Sequence, residues 1–312
     1  MGRFVVRRGL SMIGVLFAIS ILTFLIFTAI PDPALRLAGR FPTPATIAHI
    51  NHQWGFDRPV FIRYVLVMKL IFTGQIISYT QQLNVVHQIW IDLPVTASLA
   101  IGAGVIWLSM GILFGVLSAW RAGHWLDRAL TVLSLVGVSM PVFFLGAVLS
   151  YYLGDKWGIL PAGDYVSFAT SPWQWFEHLI LPWFALSVLF IGVYSRVLRS
   201  TILDTINDDY VRTAKAKGLT ERQVMVRHVL RNSLIPIVSL FGLDFAAVIG
   251  GGAILTETVF NLHGVGQYAA QSVEALDIPP VLVITMFGAF MVVLIGAIVD
   301  ILYAVLDPRI RL

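Results

Sequence analysis

Six long stretches of this chain carry almost no charge: residues 9–30, 95–120, 129–154, 179–195, 233–256 and 278–299. A hydrocarbon layer about 30 Å thick is crossed by roughly 20 helical residues. Within that layer a backbone must satisfy its own hydrogen bonds, which leaves helices or closed barrels. Each stretch has the length of a helical crossing, and the single charge inside the six is Asp244. Barrel strands would alternate in polarity over about 10 residues, and no such alternation is present. Composition agrees: 58% of the 312 residues are hydrophobic and 12% are charged, against about 25% charged in a soluble domain. A soluble fold could not cover itself with so few polar side chains. The same numbers exclude disordered, coiled-coil and collagen-like chains. With no cysteine, disulfides, thiol nucleophiles and cysteine metal sites are excluded.

The first stretch follows Arg3, Arg7 and Arg8, as in a secretory signal. Its apolar run exceeds the 7–15 residues of a cleaved signal and ends without a small-residue cleavage pattern, so a retained first helix is expected. Lys and Arg then set the orientation. With the N-terminus cytoplasmic, the inside segments include Arg121, Arg128 and the strongly basic 196–232, which hold most of the cations between spans. The outside segment after the fifth span holds Glu257, Glu274 and Asp277 and no basic residue. The expected fold class is an all-α polytopic membrane protein with six transmembrane helices and both termini cytoplasmic. The external segment 31–93 is too apolar for a linker, and apolar spacing over 57–72 predicts a helix.

The internal segment 208–232 predicts two short helices and a turn. Asp208 and Asp209 favour a helix N-terminus and Lys215 and Lys217 its end. Gly218 is a helix stop, and Thr220 with Gln223 forms a capping box for the next helix. A rigid exposed turn of this kind can plug into a groove on a partner.

The run Tyr210, Val211, Arg212, Thr213, Ala214, Lys215, Ala216, Lys217, Gly218, Leu219 resembles the cytoplasmic loop of permease subunits of binding-protein-dependent ABC importers, in the form usual in the dipeptide/oligopeptide branch. The general family pattern of Glu-Ala-Ala, three residues and Gly is met at Gly218 but departs at Arg212, which stands where the Glu would be. Further blocks resemble the same branch: residues 55–59, a divergent 74–78, Gly252 to Phe260, Gly264 to Gly266, and the ending 300–311. The resemblance implies a type I ABC importer permease fold. It implies a first helix plus external loop module over 1–93, a five-helix core over 94–306 with a coupling loop at about 199–232, and a cytoplasmic tail over 307–312. It also implies partners: a second homologous permease subunit, two ATP-binding subunits or domains, and an extracytoplasmic solute-binding protein. ATP and Mg would be bound by those ATPase partners, with no cofactor in this chain. The location implied is a bacterial or archaeal cytoplasmic membrane.

The chain carries no Gly-x-x-x-x-Gly-Lys-Ser/Thr loop, so it is read as a non-enzymatic subunit that relies on an external motor, with no catalytic residue, no metal site and no nucleic-acid partner. Candidate residues for coupling to the ATPase are Tyr210 and Arg212 through Leu219. Candidates for the pathway or a gate are Asp244, Glu257 and Phe260. An intramembrane carboxylate is costly and a functional candidate by default. Asp244 is open to four readings: a proton or cation site, a substrate contact, a pairing within the subunit interface, or a protonated side chain. Pro141 and Pro236 predict kinks, and residues 250–252 predict close helix packing. His49 and His52, three apart, lack a third ligand for a metal. Di- or oligopeptides are the expected cargo, with nickel complexes, glutathione or haem as alternatives on the same machinery. An ion-coupled secondary transporter is the alternative from another class, but paired repeats and clustered buried charges are missing.

Overall fold

The computed structural model describes residues 2–28, 34 and 43–306, so the tail 307–312 and part of the first external segment lie outside the description. The described residues are helical throughout, apart from loops and one isolated antiparallel pairing of Ile77 with Asn84. The all-α expectation holds. In chain order the helices are α1 (Gly2–Thr28), α2 (Pro44–Trp54), α3 (Val60–Phe72), α4 (Val85–Trp120), α5 (Trp125–Ser139), α6 (Val142–Leu149), α7 (Pro172–Thr205), α8 (Asp209–Ala216), α9 (Glu221–Val224), α10 (Leu230–Ser233), α11 (Ile235–Ala247), α12 (Ile254–Val259), α13 (Val265–Glu274) and α14 (Ile278–Leu306). Among the described residues five helices are long and apolar enough to cross a membrane, and six if α5 and the bent continuation Val142–Lys156, which begins with α6, count as one span.

The sequence places the spans but misjudges their ends and their straightness. α4 begins at Val85, well before the charge-free run at 95, because Asp92 sits buried inside the helix instead of ending it. α7 is 34 residues long where the apolar run predicts 179–195. At 1.5 Å per residue it is about 51 Å long, and its polar ends project beyond a hydrocarbon layer about 30 Å thick. The third span is broken and not merely kinked: α5 and α6 meet at 96°. Met140 is extended (φ −87°, ψ 122°), as the residue before a proline must be to avoid the Pro141 ring. At Pro236 the helix is interrupted: α10 ends at Ser233 and α11 starts at Ile235, with Leu234 between them. The proline lies in the first turn of α11, where a missing N–H costs nothing. The fifth span also breaks at Gly251, whose φ of 115° only glycine adopts without strain.

The core is the seam between α4 and α7. Gly111 and Gly115 lie one turn apart on α4, and a Cβ there would come within 2.7 Å of Tyr194 Cβ and 2.9 Å of Leu198 Cβ. Small residues at this spacing let membrane helices approach to backbone contact. Leu99, Trp107, Leu179 and Leu198 fill the rest of the seam and are fully buried. The expected close packing at the glycine triplet is also found: a Cβ on Gly250 would stand 3.0 Å from the carbonyl oxygen of Gly288 on α14.

Two polar clasps close the bundle at its ends. Arg199 of α7 donates to both carboxylate oxygens of Asp127 on α5, at 2.7 and 2.8 Å, and Asp127 also accepts from Ser118 Oγ and from the Gly123 amide at 2.9 Å. Removing one partner of such a pair strands the other. Since a third of the Arg199 side chain stays exposed, solvent screens part of that loss. Arg199→Ala is expected to cost on the order of 2–3 kcal/mol, Arg199→Lys about half as much, and thermal unfolding of the purified chain measures both. Equal melting of the two variants and the parent would show the clasp to be idle. At the other end, Asp277 accepts from Ser78 Oγ, the Tyr79 amide (2.9 Å) and Thr80 Oγ1 (2.6 Å). This fixes the loop before α4 to the start of α14.

Candidate functional site

The internal segment folds as its sequence predicts. Helix α8 stops at Lys217, and Gly218 turns the chain with a φ of 78°. A Cβ on Gly218 would meet nothing within 4 Å, so only its backbone angle demands glycine. Thr220 then caps α9: its Oγ1 accepts from the Gln223 amide at 3.4 Å, and Gln223 Oε1 accepts from the Thr220 amide at 3.0 Å. Beyond α9 the helix continues through a π turn, Met225–Val229, into α10.

The hairpin has two faces. Its inner face is apolar: Val211, Ala214, Val224, Met225 and Val229 are buried together against the core, with Leu219 packed at the edge. Tyr210 braces the two arms, its hydroxyl accepting from Asn232 Nδ2 at 2.7 Å. Its outer face exposes Arg212, Thr213, Lys215, Ala216, Lys217 and Gly218. Of the residues read as candidates for coupling, then, six are presented outward, whereas Tyr210, Ala214 and Leu219 hold the hairpin in shape. Arg212 pairs loosely with Asp209 at 3.8 Å, both strongly exposed, so its charge stays available to a partner.

The three pathway or gate candidates fall in three separate environments. Asp244 lies half-buried on α11, where Tyr194 Oη of α7 donates to its Oδ2 at 2.8 Å. The Phe190 ring stands 6.5 Å from that of Tyr194 and 4.4 Å from that of Trp107, which in turn lies 5.8 Å from Phe241. Within this chain Asp244 is thus held by Tyr194.

Glu257 is fully buried on α12. Its Oε1 accepts from Thr96 Oγ1 at 2.7 Å and its Oε2 from the Gln267 amide at 2.9 Å, and the Gly266 amide points at it as well. Thr96 Oγ1 in turn accepts from the Val265 amide at 2.9 Å. The carboxylate thus satisfies the free amides at the start of α13, where the helix dipole favours negative charge. Burial raises this carboxyl above the ordinary carboxylate range, and the hydrogen bonds from Thr96, Gln267 and Gly266 lower it. Phe260 is also buried (1% exposed) and packs on α6, where a Cβ on Gly146 would stand 3.1 Å from its ring. Neither side chain is presented at the surface of this chain: Glu257 ties α12 and α13 to α4, and Phe260 packs against α6. The sequence signalled Glu257 but not its partners, since Thr96 lies 161 positions away.

Comparison with known proteins covers nearly the whole chain. Residues 111–312 match the family described as binding-protein-dependent transport system inner membrane component, and residues 1–100 match its N-terminal companion. The chain is 35% identical to the probable peptide ABC transporter permease protein y4tP of Sinorhizobium fredii, over 100% of both chains. It is 34% identical to the dipeptide transport system permease protein DppB of Alkalihalophilus pseudofirmus, over 99% of both. It is 33% identical to the oligopeptide transport system permease protein AppB of Bacillus subtilis, over 100% of both. Among solved structures it resembles a chain of the MetNI methionine ABC transporter in an inward-facing conformation, with a TM-score of 0.50 and 18% identity, covering 72% of this chain and 96% of that one. That likeness speaks to the fold alone.

Proposed function

The chain belongs to the family of binding-protein-dependent transport system inner membrane components, and on that premise we propose that it forms one half of the membrane pathway of an ATP-driven importer for di- or oligopeptides. The outward face of the hairpin around Gly218 carries this reading. It is short, rigid, cationic and braced from behind, as a part that transmits force must be. Its place is in a cleft of an ATP-binding partner, whose closure on ATP and Mg would be passed through α7 and α10 to the spans. Transport is then a shift in population between inward- and outward-facing states, driven by nucleotide bound elsewhere.

The remaining assembly follows from the same reading: a second permease subunit completes the pathway, and a solute-binding protein delivers cargo from outside. Both termini and the hairpin lie in the cytoplasm, as the distribution of Lys and Arg supports, and the membrane is a bacterial or archaeal cytoplasmic one. The names of full-length relatives support peptide as cargo. Reconstitution tests the whole. Proteoliposomes holding the permease pair, the ATPase and the binding protein are expected to take up labelled dipeptide only with internal ATP, and to lose uptake when the ATPase is omitted. Uptake by this chain alone, without ATP, would overturn the reading.

A further inference from the structure

A cleft of about 500 Å³ opens at the end of the bundle where α1 finishes and α14 begins, lined on its remaining sides by α3, the turn between α2 and α3, and the loop 75–79. Its volume is that of a small-ligand site. Phe24 of α1, Leu66 and Val67 of α3, and Ile278 and Leu282 of α14 give it apolar walls. Arg58, Arg63 and Lys69 supply the charge, and no acidic side chain lines it among the described residues. None of these three cations forms an ion pair among the described residues. Arg63 lies over the Phe56 ring at 5.4 Å, which holds its guanidinium at the cleft. Asp277, adjacent in sequence to the lining residue Ile278, has its oxygens committed to Ser78, Tyr79 and Thr80. Among the described residues, then, no carboxylate stands at ion-pair distance from Arg58, Arg63 or Lys69.

A second observation places the cleft at the lipid boundary. Phe24 and Thr28 end the first crossing, and Ile278 starts the last. The neighbouring helix α3 exposes Phe61 (76%) and Phe72 (82%) beside its cations. An apolar helix with basic residues lies in the plane where headgroups meet acyl chains. An apolar cleft with a basic rim at that depth matches one chemistry, a phosphate-bearing headgroup with an acyl chain beneath it. The geometry points to a binding site for an anionic phospholipid from the leaflet at this end of the spans, wedged between α1, α3 and α14. The lipid would tie the external module to the first and last crossings. This assignment holds whichever side of the membrane the cleft faces.

Native mass spectrometry of the purified full chain, with lipid exchanged for defined mixtures, tests the site. Phosphatidylglycerol is expected to remain bound in preference to phosphatidylcholine. Each nearby basic residue contributes about a five-fold gain in affinity, so Arg58→Gln with Arg63→Gln is expected to lower retention by roughly thirty-fold. Both side chains reach solvent, so the double variant keeps the fold. Leu282→Trp, which fills the apolar wall and leaves the cations in place, should expel the lipid too. Lys156→Gln, a cation outside the cleft, should change nothing. Equal retention of the two lipids, or undiminished retention in the double variant, would overturn the site. So would an outcome in which the double variant releases an acidic protein partner and keeps its lipid.

Discussion

Glu257→Ala is expected to lower the stability of the folded chain by about 3–5 kcal/mol, the range found when a buried charge loses or leaves its partners. The side chain is fully buried and joins three elements. Truncation leaves Thr96 Oγ1 without its acceptor and leaves the Gly266 and Gln267 amides bare at the start of α13. Each orphaned buried donor costs about 1–3 kcal/mol. Glu257→Gln keeps an acceptor for the amides but aims an N–H₂ at a Thr96 oxygen that already accepts from Val265. Its expected cost is smaller, about 1–2 kcal/mol. Thermal unfolding of the detergent-solubilised chain ranks the three. Hydrogen exchange at the Gly266 and Gln267 amides gives the local signature, with loss of protection confined to the start of α13 at temperatures where the rest stays folded. An alanine variant that melts with the parent and protects both amides would remove Glu257 from this structural role.

How much of this was legible beforehand divides along sequence distance. The hairpin was readable because everything that shapes it is local: Asp208 and Asp209 at a start, Gly218 at a stop, and Thr220 with Gln223 three residues on. The spans were readable because hydropathy is a local sum. Their ends were not, since a charge stops an apolar count whether or not it is paired in the fold. Asp92 is buried within α4 and accepts from Gln88 at 2.9 Å, and Arg199 extends α7 by reaching Asp127, 72 residues away. The glycine triplet was readable as tight packing, but its partner Gly288 and the bend at Gly251 were not. Proline signals behaved according to position. Pro141 stands just before α6 at the 96° bend of the third span, and Pro236 stands in the first turn of α11, just after the interruption at Leu234.

Gly218→Val is expected to abolish most ATP-driven uptake while leaving the spans folded. A β-branched residue at a φ of 78° is strained whatever space surrounds it. The left-handed conformation costs roughly 1–2 kcal/mol for an L-residue, which depopulates the native turn by about five- to thirty-fold. Because a Cβ here meets no atom of this chain within 4 Å, the penalty within the chain acts through the backbone and re-aims the exposed face that carries Lys215 and Lys217. Asn adopts the left-handed region with little cost, so Gly218→Asn should restore most uptake even though its side chain is larger than that of Ala. That rescue separates a demand on backbone shape from a demand for a small surface. Ala214→Asp is the weaker probe, since Ala214 is 4% exposed and a carboxylate there would split the hairpin from its own core. The measurement is peptide uptake alongside ATP hydrolysis in proteoliposomes of the assembled transporter. Uncoupling appears as hydrolysis retained with uptake lost in the valine variant. Full uptake with valine would mean that no partner reads the shape of this turn, and the hairpin would lose its assigned part in transport.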